Sequence, residues 1–416
     1  VSAPSRKRIL IVGAGWEQIP LLEAARGSGA WVVATDANSG APGLGLADER
    51  AQLDPRDLLR AVEIARRHRI DAVTADQCDY SRFAAAYLAA MLDLPGFGAD
   101  SESALAAAQH TTNKRLMRER CRDHRILQPR FVPCRTPRDA HRAFDIIGAP
   151  VIVKPVDNRG SFGVHRITNE ADLTPAVLDA MMHAHGREVL IEAMIDGLHI
   201  TVDGCVDQQG VHHNLAVATK SVTEGSRPII TEVLYPGHLE PEMRDHVLET
   251  NDRVVEALDI RSGLTHGEYI LDDRGRCFLV EMANRGGGVL TSGRIVPVIS
   301  GVDVSALLVA DALALPFPVT PQCSDQWILL SFFIFPPGRI AAIDGLDTAR
   351  AQPGVLHCSL WVEPGQEVTA PRSGAGRHGF GIVSGDDEPE VRRRFDQMRG
   401  AITVRYEERG GWRKIS

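Results

Sequence analysis

The stretch "VIVKPVDNRGSFGV", residues 151–164, decides how the chain is read. Val151, Ile152 and Val153 form a short apolar run that reads as a buried strand. Lys154 and Pro155 close it. A loop with glycines at 160 and 163 follows, and the chain resumes as "VHRIT". A loop of small residues lets backbone N–H groups close around phosphate oxygens, and a lysine adds a full positive charge beside them. The Walker pattern is absent, because there is no Gly-Lys-Ser/Thr and a strand rather than a helix follows. Asp157 to Gly163 would then be a flexible flap between two antiparallel strands. Alone, the stretch reads equally as an ordinary hairpin whose lysine reaches solvent.

Working outward, "EVLIEAMIDGLHITVDGCV" places Glu192 directly after an apolar run, with His199 seven residues later at the start of an alternating strand. A purine needs an acceptor for its amino group and a donor for a ring nitrogen. Glu192 and the backbone from Ala193 to Ile195, at a strand edge, can supply these, and His199 can serve a ribose. A surface histidine at a strand start is the plainer reading of His199.

"LTHGEYILDDRGRCFLVEMANRGGG", residues 264–288, reads as a hairpin. With Arg274-Gly275 as a two-residue loop, Glu268 lies opposite Glu281. A four-residue loop leaves them a diagonal step apart. A three-residue loop without a compensating bulge puts them on opposite faces. Like charges facing across strands are destabilising, and a hard divalent cation removes that penalty. The competing reading is two acids on a solvated face. Arg285 and the glycines at 286–288 follow. A fork-shaped cation suits a carboxylate or acyl phosphate, and glycines let backbone amides approach an anion.

Composition limits the classes. The chain has 416 residues, 44% hydrophobic and 24% charged, with a net charge of −8. Such a balance argues against an extended nucleic-acid or anionic membrane surface. The longest apolar run, "WILLSFFIF", is too short to span a bilayer. The basic residues near the N-terminus lead into "ILIVGAG", a strand rather than a signal peptide. Seven cysteines, at 78, 121, 134, 205, 277, 323 and 358, form no close pair. They suit buried thiols in a reducing, cytoplasmic setting.

The elements suggest a multidomain protein mixing α/β and α+β architecture. "RILIVGAG", "WVVATDAN" and "DAVTAD" alternate with helical segments, which implies an N-terminal parallel α/β domain over about residues 1–100. The Gly13-Ala14-Gly15 turn, with Asp36 about 20 residues on, invites a dinucleotide fingerprint. Gln18 stands where the third glycine belongs, so a tight strand-to-helix turn is the better reading. A central domain spans about residues 101–316 with a lobe at about 131–187 inserted, and a β-rich domain spans about 317–416.

Taken in order, these pieces resemble the ATP-grasp superfamily over nearly the whole chain. Within it they are similar to the carboxylate–amine ligases, the group of L-amino-acid ligases and biotin-carboxylase-like enzymes. The matching stretches are "VIVKP" with "DNRGSFGV", "IEAMIDGLHITVDG", and "THGEYI" with "VEMANRGGG". The resemblance implies a two-lobed ATP-grasp and assigns roles. Lys114, on a helix of the central lobe, and Lys154 would contact nucleotide phosphates. Ser161, Phe162 and Gly163 would form the flap, Glu192 and Ile195 would hold adenine, and His199 the ribose. Glu268 and Glu281 would hold Mg²⁺, with Mn²⁺ as an alternative ion. Arg285, with Gly287 and Gly288, would hold a substrate carboxylate and its phosphate. His266 resembles the first residue of an amino-acid-ligase "H-x-E" and would touch phosphate or substrate. Many members read Glu-x-Asn-x-Arg. Here Asn284 stands one position later, which leaves a second-metal role for it open.

The implied activity is an ATP-dependent ligase joining a small carboxylic acid to an amine through an acyl phosphate. The expected partners are small molecules, with no nucleic acid or membrane, and a homodimer is compatible. Glu232 would hold a substrate ammonium, and Lys220 a phosphate. The alternatives are an ATP-grasp enzyme activating bicarbonate, as carboxylases and carbamoyl-phosphate-forming enzymes do, and an NAD-binding oxidoreductase resting on Gly13, Gly15 and Asp36. No biotinyl- or lipoyl-attachment segment such as Ala-Met-Lys-Met is present.

Overall fold

The computed structural model describes residues 6–97, 101–158, 160–225, 228–322, 324–407 and 413–415. They form two compact units that interleave in sequence. The first holds residues 1–128, 201–216 and 240–324, and the second holds 129–200, 217–239 and 325–416.

Strands β1 (Arg8–Val12), β2 (Trp31–Asp36), β3 (Glu49–Gln52) and β4 (Ala72–Thr74) open the first unit as a parallel sheet ordered β3-β2-β1-β4. Near-continuous apolar runs are what a sheet covered on both faces requires, and "ILIV" is buried throughout. Leu10, Val12, Val33 and Val73 pack with Ala85 and Leu88. β3, "ERAQ", is polar because it is an edge strand, and the sequence pattern does not reveal it. At the first turn Gly13 takes φ +106°. Asp36 is turned onto that turn, accepting from the Ala14 amide at 2.9 Å and the Asn38 amide at 2.8 Å. Gln18 is buried and donates to the Asp76 carbonyl. Both side chains serve the strand-to-helix turn.

The chain then builds a small antiparallel sheet in the second unit from β5 (Phe131–Cys134), β6 (Val151–Pro155), β7 (His165–Ile167) and β8 (Val189–Ala193), ordered β5-β8-β6-β7. Helices Pro137–Ile147 and Leu173–His183 cover one face through Ala140, Ala143, Leu173 and Val177 against Val151, Val153 and Ile191. A reciprocal cap between Thr136 and Asp139 starts the first of these helices, with Pro137 at its first position.

Strands β9 (Leu198–Val206) and β10 (His212–Val222) each run from one unit into the other. β11 (Ile230–Tyr235) belongs to the second unit. Helix Pro241–Ala257 and the hairpin of β12 (Gly263–Leu271) and β13 (Cys277–Ala283) return to the first, where β12 lies between β13 and β9. The C-terminal region adds β14 (Trp327–Phe333), β15 (Gly338–Asp344), β16 (Val355–Leu360), β17 (Glu367–Val368), β18 (Gly379–Gly385), β19 (Thr403–Tyr406) and β20 (Arg413–Ile415). These complete an antiparallel run β10-β11-β14-β18-β16 and a separate sheet β17-β15-β19-β20. Helix Glu388–Gly400 packs Val391, Phe395 and Met398 on the first of these. At Gly381 the helix packs close, and a side chain there would displace the end of Met398.

No single helix among the described residues is long and apolar enough to cross a membrane. Six of the seven cysteines are free and buried, and Cys323 lies outside the described residues.

Candidate active site

In the second unit the candidate residues gather around β6 and β8. Ile152 pairs with Glu192 and Lys154 with Leu190, so Lys154 and Glu192 share the sheet face away from the helices, one diagonal step apart. Lys154 Nζ meets Glu192 Oε2 at 2.7 Å, and both side chains are almost wholly buried, at 7% and 4% exposure. Two charges are tolerated there only as a pair. The expected backbone donors past Glu192 are partly committed. β8 is an inner strand, not an edge. The Ala193 amide donates to the Arg130 carbonyl, and the Met194 amide to that of Pro150. Ile195 follows β8 and His199 lies near the start of β9, both half-buried.

The flap joins two antiparallel strands as expected. Its base is tied down: Asp157 accepts from the His185 and Gly186 amides, and Asn158 donates to the His183 carbonyl. Its tip is open, with Gly160, Ser161 and Phe162 exposed. Arg159 lies outside the described residues. Ser161 and Gly163 both take positive φ, 59° and 68°. At Gly163 a side chain would also press on Ala180 and His183. That position requires glycine.

In the first unit the hairpin brings Glu268 directly opposite Glu281. The route differs from the two-residue loop considered above. The loop has three residues, 273–275, with Asp272 opposite Arg276 and Gly275 at φ +74°. Asp272 organises it by accepting from the Arg274 and Arg276 amides and from Arg276 Nε. This register alone would send the two glutamates to opposite faces. A bulge beside Glu268 and Tyr269 leaves Val280 unpaired, and restores the pair. Glu268 and Glu281 keep about a third of their side chains exposed, at 32% and 28%.

The like charges are offset from outside the hairpin. Lys114 Nζ lies 2.8 Å from Glu281 Oε1. Lys114 is the first residue of helix Lys114–Asp123, whose cap is Asn113, accepting from the Arg115 and Leu116 amides. A cation at a helix N-terminus opposes the dipole, so its place reflects its partner. It belongs to the first unit, not to the inserted lobe where the resemblance put it. Two carboxylates on one face, partly open and flanked by a lysine, fit Mg²⁺, which usually takes one or two carboxylates with phosphate oxygens.

On the same face, His266 stands two residues before Glu268. Its Nδ1 donates to Asp203 Oδ1 at 2.7 Å, and its Nε2 lies 3.5 Å from Glu268 Oε1. Arg285 is gripped by Asp79, Nε to Oδ1 at 3.0 Å and Nη2 to Oδ2 at 3.4 Å, and its Nη1 donates to the Gly286 carbonyl. Burial disfavours its charge, but Asp79, with Glu281 and Asp76, outweighs that and holds the guanidinium above its usual range. Asp79 occupies the side of the fork, which turns the remaining Nη1 and Nη2 hydrogens to any anion. Asp79 opens helix Asp79–Leu92, where an acid is favoured by the dipole.

Three expectations change. The glycine loop does not present all its amides, because Gly286 donates to Asp76 and the Val289 amide to Glu17. Gly287 instead makes room, since a side chain there would lie 2.9 Å from both Asp203 and His266, and Gly288 sits beside Glu17. Asn284 is spent on structure: its amide donates to the Ser262 and Leu264 carbonyls and accepts from Arg82. Glu232, on β11 in the second unit, pairs with Arg392 at 3.2 Å rather than standing ready for an ammonium group. Lys220, on β10, is half-buried. Sequence reasoning missed Asp79 and Asp203. Asp79 has a signal in its helix-initiating position, and Asp203 has one in being an acid within an alternating strand.

Comparison with known proteins places these sites in context. Residues 147–293 match the ATP-grasp domain, and residues 331–407 match the L-amino acid ligase C-terminal domain 2. A D-alanine–D-alanine ligase of Nitratidesulfovibrio vulgaris is 30% identical over 231 residues, covering 53% of this chain and 72% of that protein. One of Parabacteroides distasonis is 28% identical over 156 residues, 35% of this chain and 45% of that protein. The chain thus spans about half the length of some of the curated relatives it matches. Among solved structures, an L-amino acid ligase from Bacillus licheniformis superposes with TM-score 0.82 at 20% identity, covering 98% of this chain and all of that one. Phosphoribosylglycinamide synthetase from Anaerococcus prevotii gives 0.75 at 17% identity, covering 97% of this chain and all of that one. These two likenesses concern the fold.

Proposed function

We propose that this chain, which belongs to the ATP-grasp family of carboxylate–amine ligases, joins a small amino-acid-like acid to an amine. A substrate carboxylate oxygen attacks the γ-phosphorus of ATP, and ADP leaves. The nitrogen of the amine then attacks the acyl carbon, inorganic phosphate departs and an amide remains. Positioning and charge stabilisation dominate such a transfer.

One observation carries the reading. The hairpin bulges to keep Glu268 facing Glu281, a costly arrangement for two acids that serve no ligand. Mg²⁺ held there would neutralise phosphate charge. The chain's own groups do the rest. Lys154 and Lys114 would meet phosphate oxygens, and Glu192 the adenine amino group. Ile195 and His199 would complete the nucleoside contacts. The flap tip, Ser161 and Phe162, would exclude water from the acyl phosphate. Arg285, aimed by Asp79, would hold the substrate carboxylate.

The test is direct. Protein, ATP and Mg²⁺ are incubated with mixtures of amino acids and related acids. ADP release is followed, and mass spectrometry looks for products lighter by one water than a reactant pair. Turnover on bicarbonate alone, or only with a macromolecular acceptor, overturns the proposal.

A further inference from the structure

We propose that Asp76 is a positioning residue for the substrate carboxylate, clamping the glycine loop and, through it, Arg285. This deepens the ligase reading above and rests on it. Asp76 stands just past β4, at the carboxyl end of the parallel sheet, with 2% exposure. Its Oδ1 receives the Gly286 amide at 2.7 Å, and its Oδ2 receives the Ser292 hydroxyl at 2.7 Å. A buried carboxylate is costly unless its oxygens are bonded. Here one carboxylate closes both ends of residues 286–292.

What the clamp holds is a strained turn. Val289 and Leu290 both take left-handed backbone, at φ 58° and 60°. That region is uncommon for any side chain and an outlier for a β-branched one. Such backbone persists only where its surroundings over-determine it, and it gathers at ligand sites. Glu17 holds the middle by accepting from the Val289 amide, and a π-helical turn, Thr291–Ile295, follows. Gly286 links this turn to the cation. Its amide is on Asp76, and its carbonyl receives Arg285 Nη1 at 2.9 Å. No side chain fits there, since a Cβ would lie 2.3 Å from Ser292 Cβ and 2.9 Å from Asp76 Oδ1. Arg285 is thus fixed from two sides, directly by Asp79 and, through one peptide unit, by Asp76. The charge of Asp76 also favours the charged guanidinium. A carboxylate needed only to brace the sheet has no reason to spend both oxygens on this loop.

The experiment compares wild type with Asp76→Ala and Asp76→Asn. The asparagine can still accept from the Gly286 amide and can donate to Ser292 Oγ, so it keeps the clamp without the charge. ADP release gives KM for the acid and for ATP, and hydrogen–deuterium exchange of a peptide covering residues 286–292 reads the clamp without turnover. Asp76→Ala is expected to raise KM for the acid about tenfold or more while KM for ATP stays within about twofold, and to speed exchange in the loop. Asp76→Asn is expected to bring both readings back to within about threefold of wild type. Ser292→Ala, which releases one end of the loop, is expected to fall between the two, and it carries the test if Asp76→Ala does not fold. Wild-type exchange and acid KM in the alanine variants overturn the proposal. So does an equal rise in both KM values, the mark of mere support for the sheet. A wild-type protein that releases no ADP with any acid–amine pair defeats the ligase reading instead. The exchange then decides alone, and wild-type rates in Asp76→Ala and Ser292→Ala overturn the clamp.

Discussion

The sheet β5-β8-β6-β7 and the hairpin β12–β13 use charge in opposite ways. In the sheet, Lys154 and Glu192 neutralise each other in the interior, and both come from one stretch of fewer than 50 residues. Around the hairpin, the shortest charge partners come from distant parts of the chain. Glu281 relies on Lys114, Arg285 on Asp79, and His266 on Asp203. On the proposed function, the first arrangement makes stability and nucleotide binding share one pair. The second separates them, because the hairpin folds on its own loop and bulge while distant residues aim its side chains.

The largest effect is expected in the sheet. Lys154→Ala leaves Glu192 charged and buried, and breaking such a pair costs about 3–5 kcal/mol. Turnover should vanish with loss of the lobe's stability, seen as a lowered unfolding midpoint. The double variant Lys154→Met with Glu192→Leu should restore the midpoint but not nucleotide binding. A double variant that still binds ATP would break the claim that the pair serves both ends.

Next comes Glu281→Gln. Its amide oxygen still accepts from Lys114, so the unfolding midpoint should barely move. Turnover should fall about 100-fold or more if the proposed metal-binding charge is gone. Wild-type ADP release would remove Glu281 from the metal site. A smaller loss is expected for Asp79→Asn. Arg285 keeps its charge but loses its grip, so KM for the carboxylate substrate should rise about tenfold with KM for ATP little changed. Equal effects on both would show that Asp79 merely supports the helix end.

The same contrast explains what the sequence made legible. The strand–lysine–loop pattern, the acid after "VLI" and the two glutamates of the hairpin lie in local patterns that a linear reading can follow. The Glu268–Glu281 pairing was reached, although the loop proved to have three residues and the bulge at Val280 restored the register. A bulge leaves little trace in a run such as "CFLVEMA", so its position could not be read. Asp79 and Asp203 were missed because their partners lie 206 and 63 residues away. Short acidic side chains carry no periodic signal of such distant contacts. Arg392 as the partner of Glu232 was missed for the same reason, since only the fold reveals that it reaches that side chain.

The smallest effect on turnover should come from Asn284, and it tests the separation most sharply. Although it lies between Glu281, the proposed metal ligand, and Arg285 in sequence, Asn284 faces inward with 4% exposure. Its amide braces the Ser262 and Leu264 carbonyls and receives Arg82, a guanidinium whose burial pulls its pKa down to about 10. Asn284→Ala takes a donor from the Leu264 carbonyl and one from that of Ser262, which keeps Arg82, and weakens the support of a buried cation, at a cost of about 1–3 kcal/mol. Turnover at a temperature where the variant stays folded should remain within about threefold of wild type, because none of these bonds touches substrate or metal. The Mg²⁺ concentration giving half-maximal activity should be unchanged as well. If that concentration rises while the unfolding midpoint holds, Asn284 is a metal ligand after all, and the residue that looks like part of the bracing belongs to the chemistry.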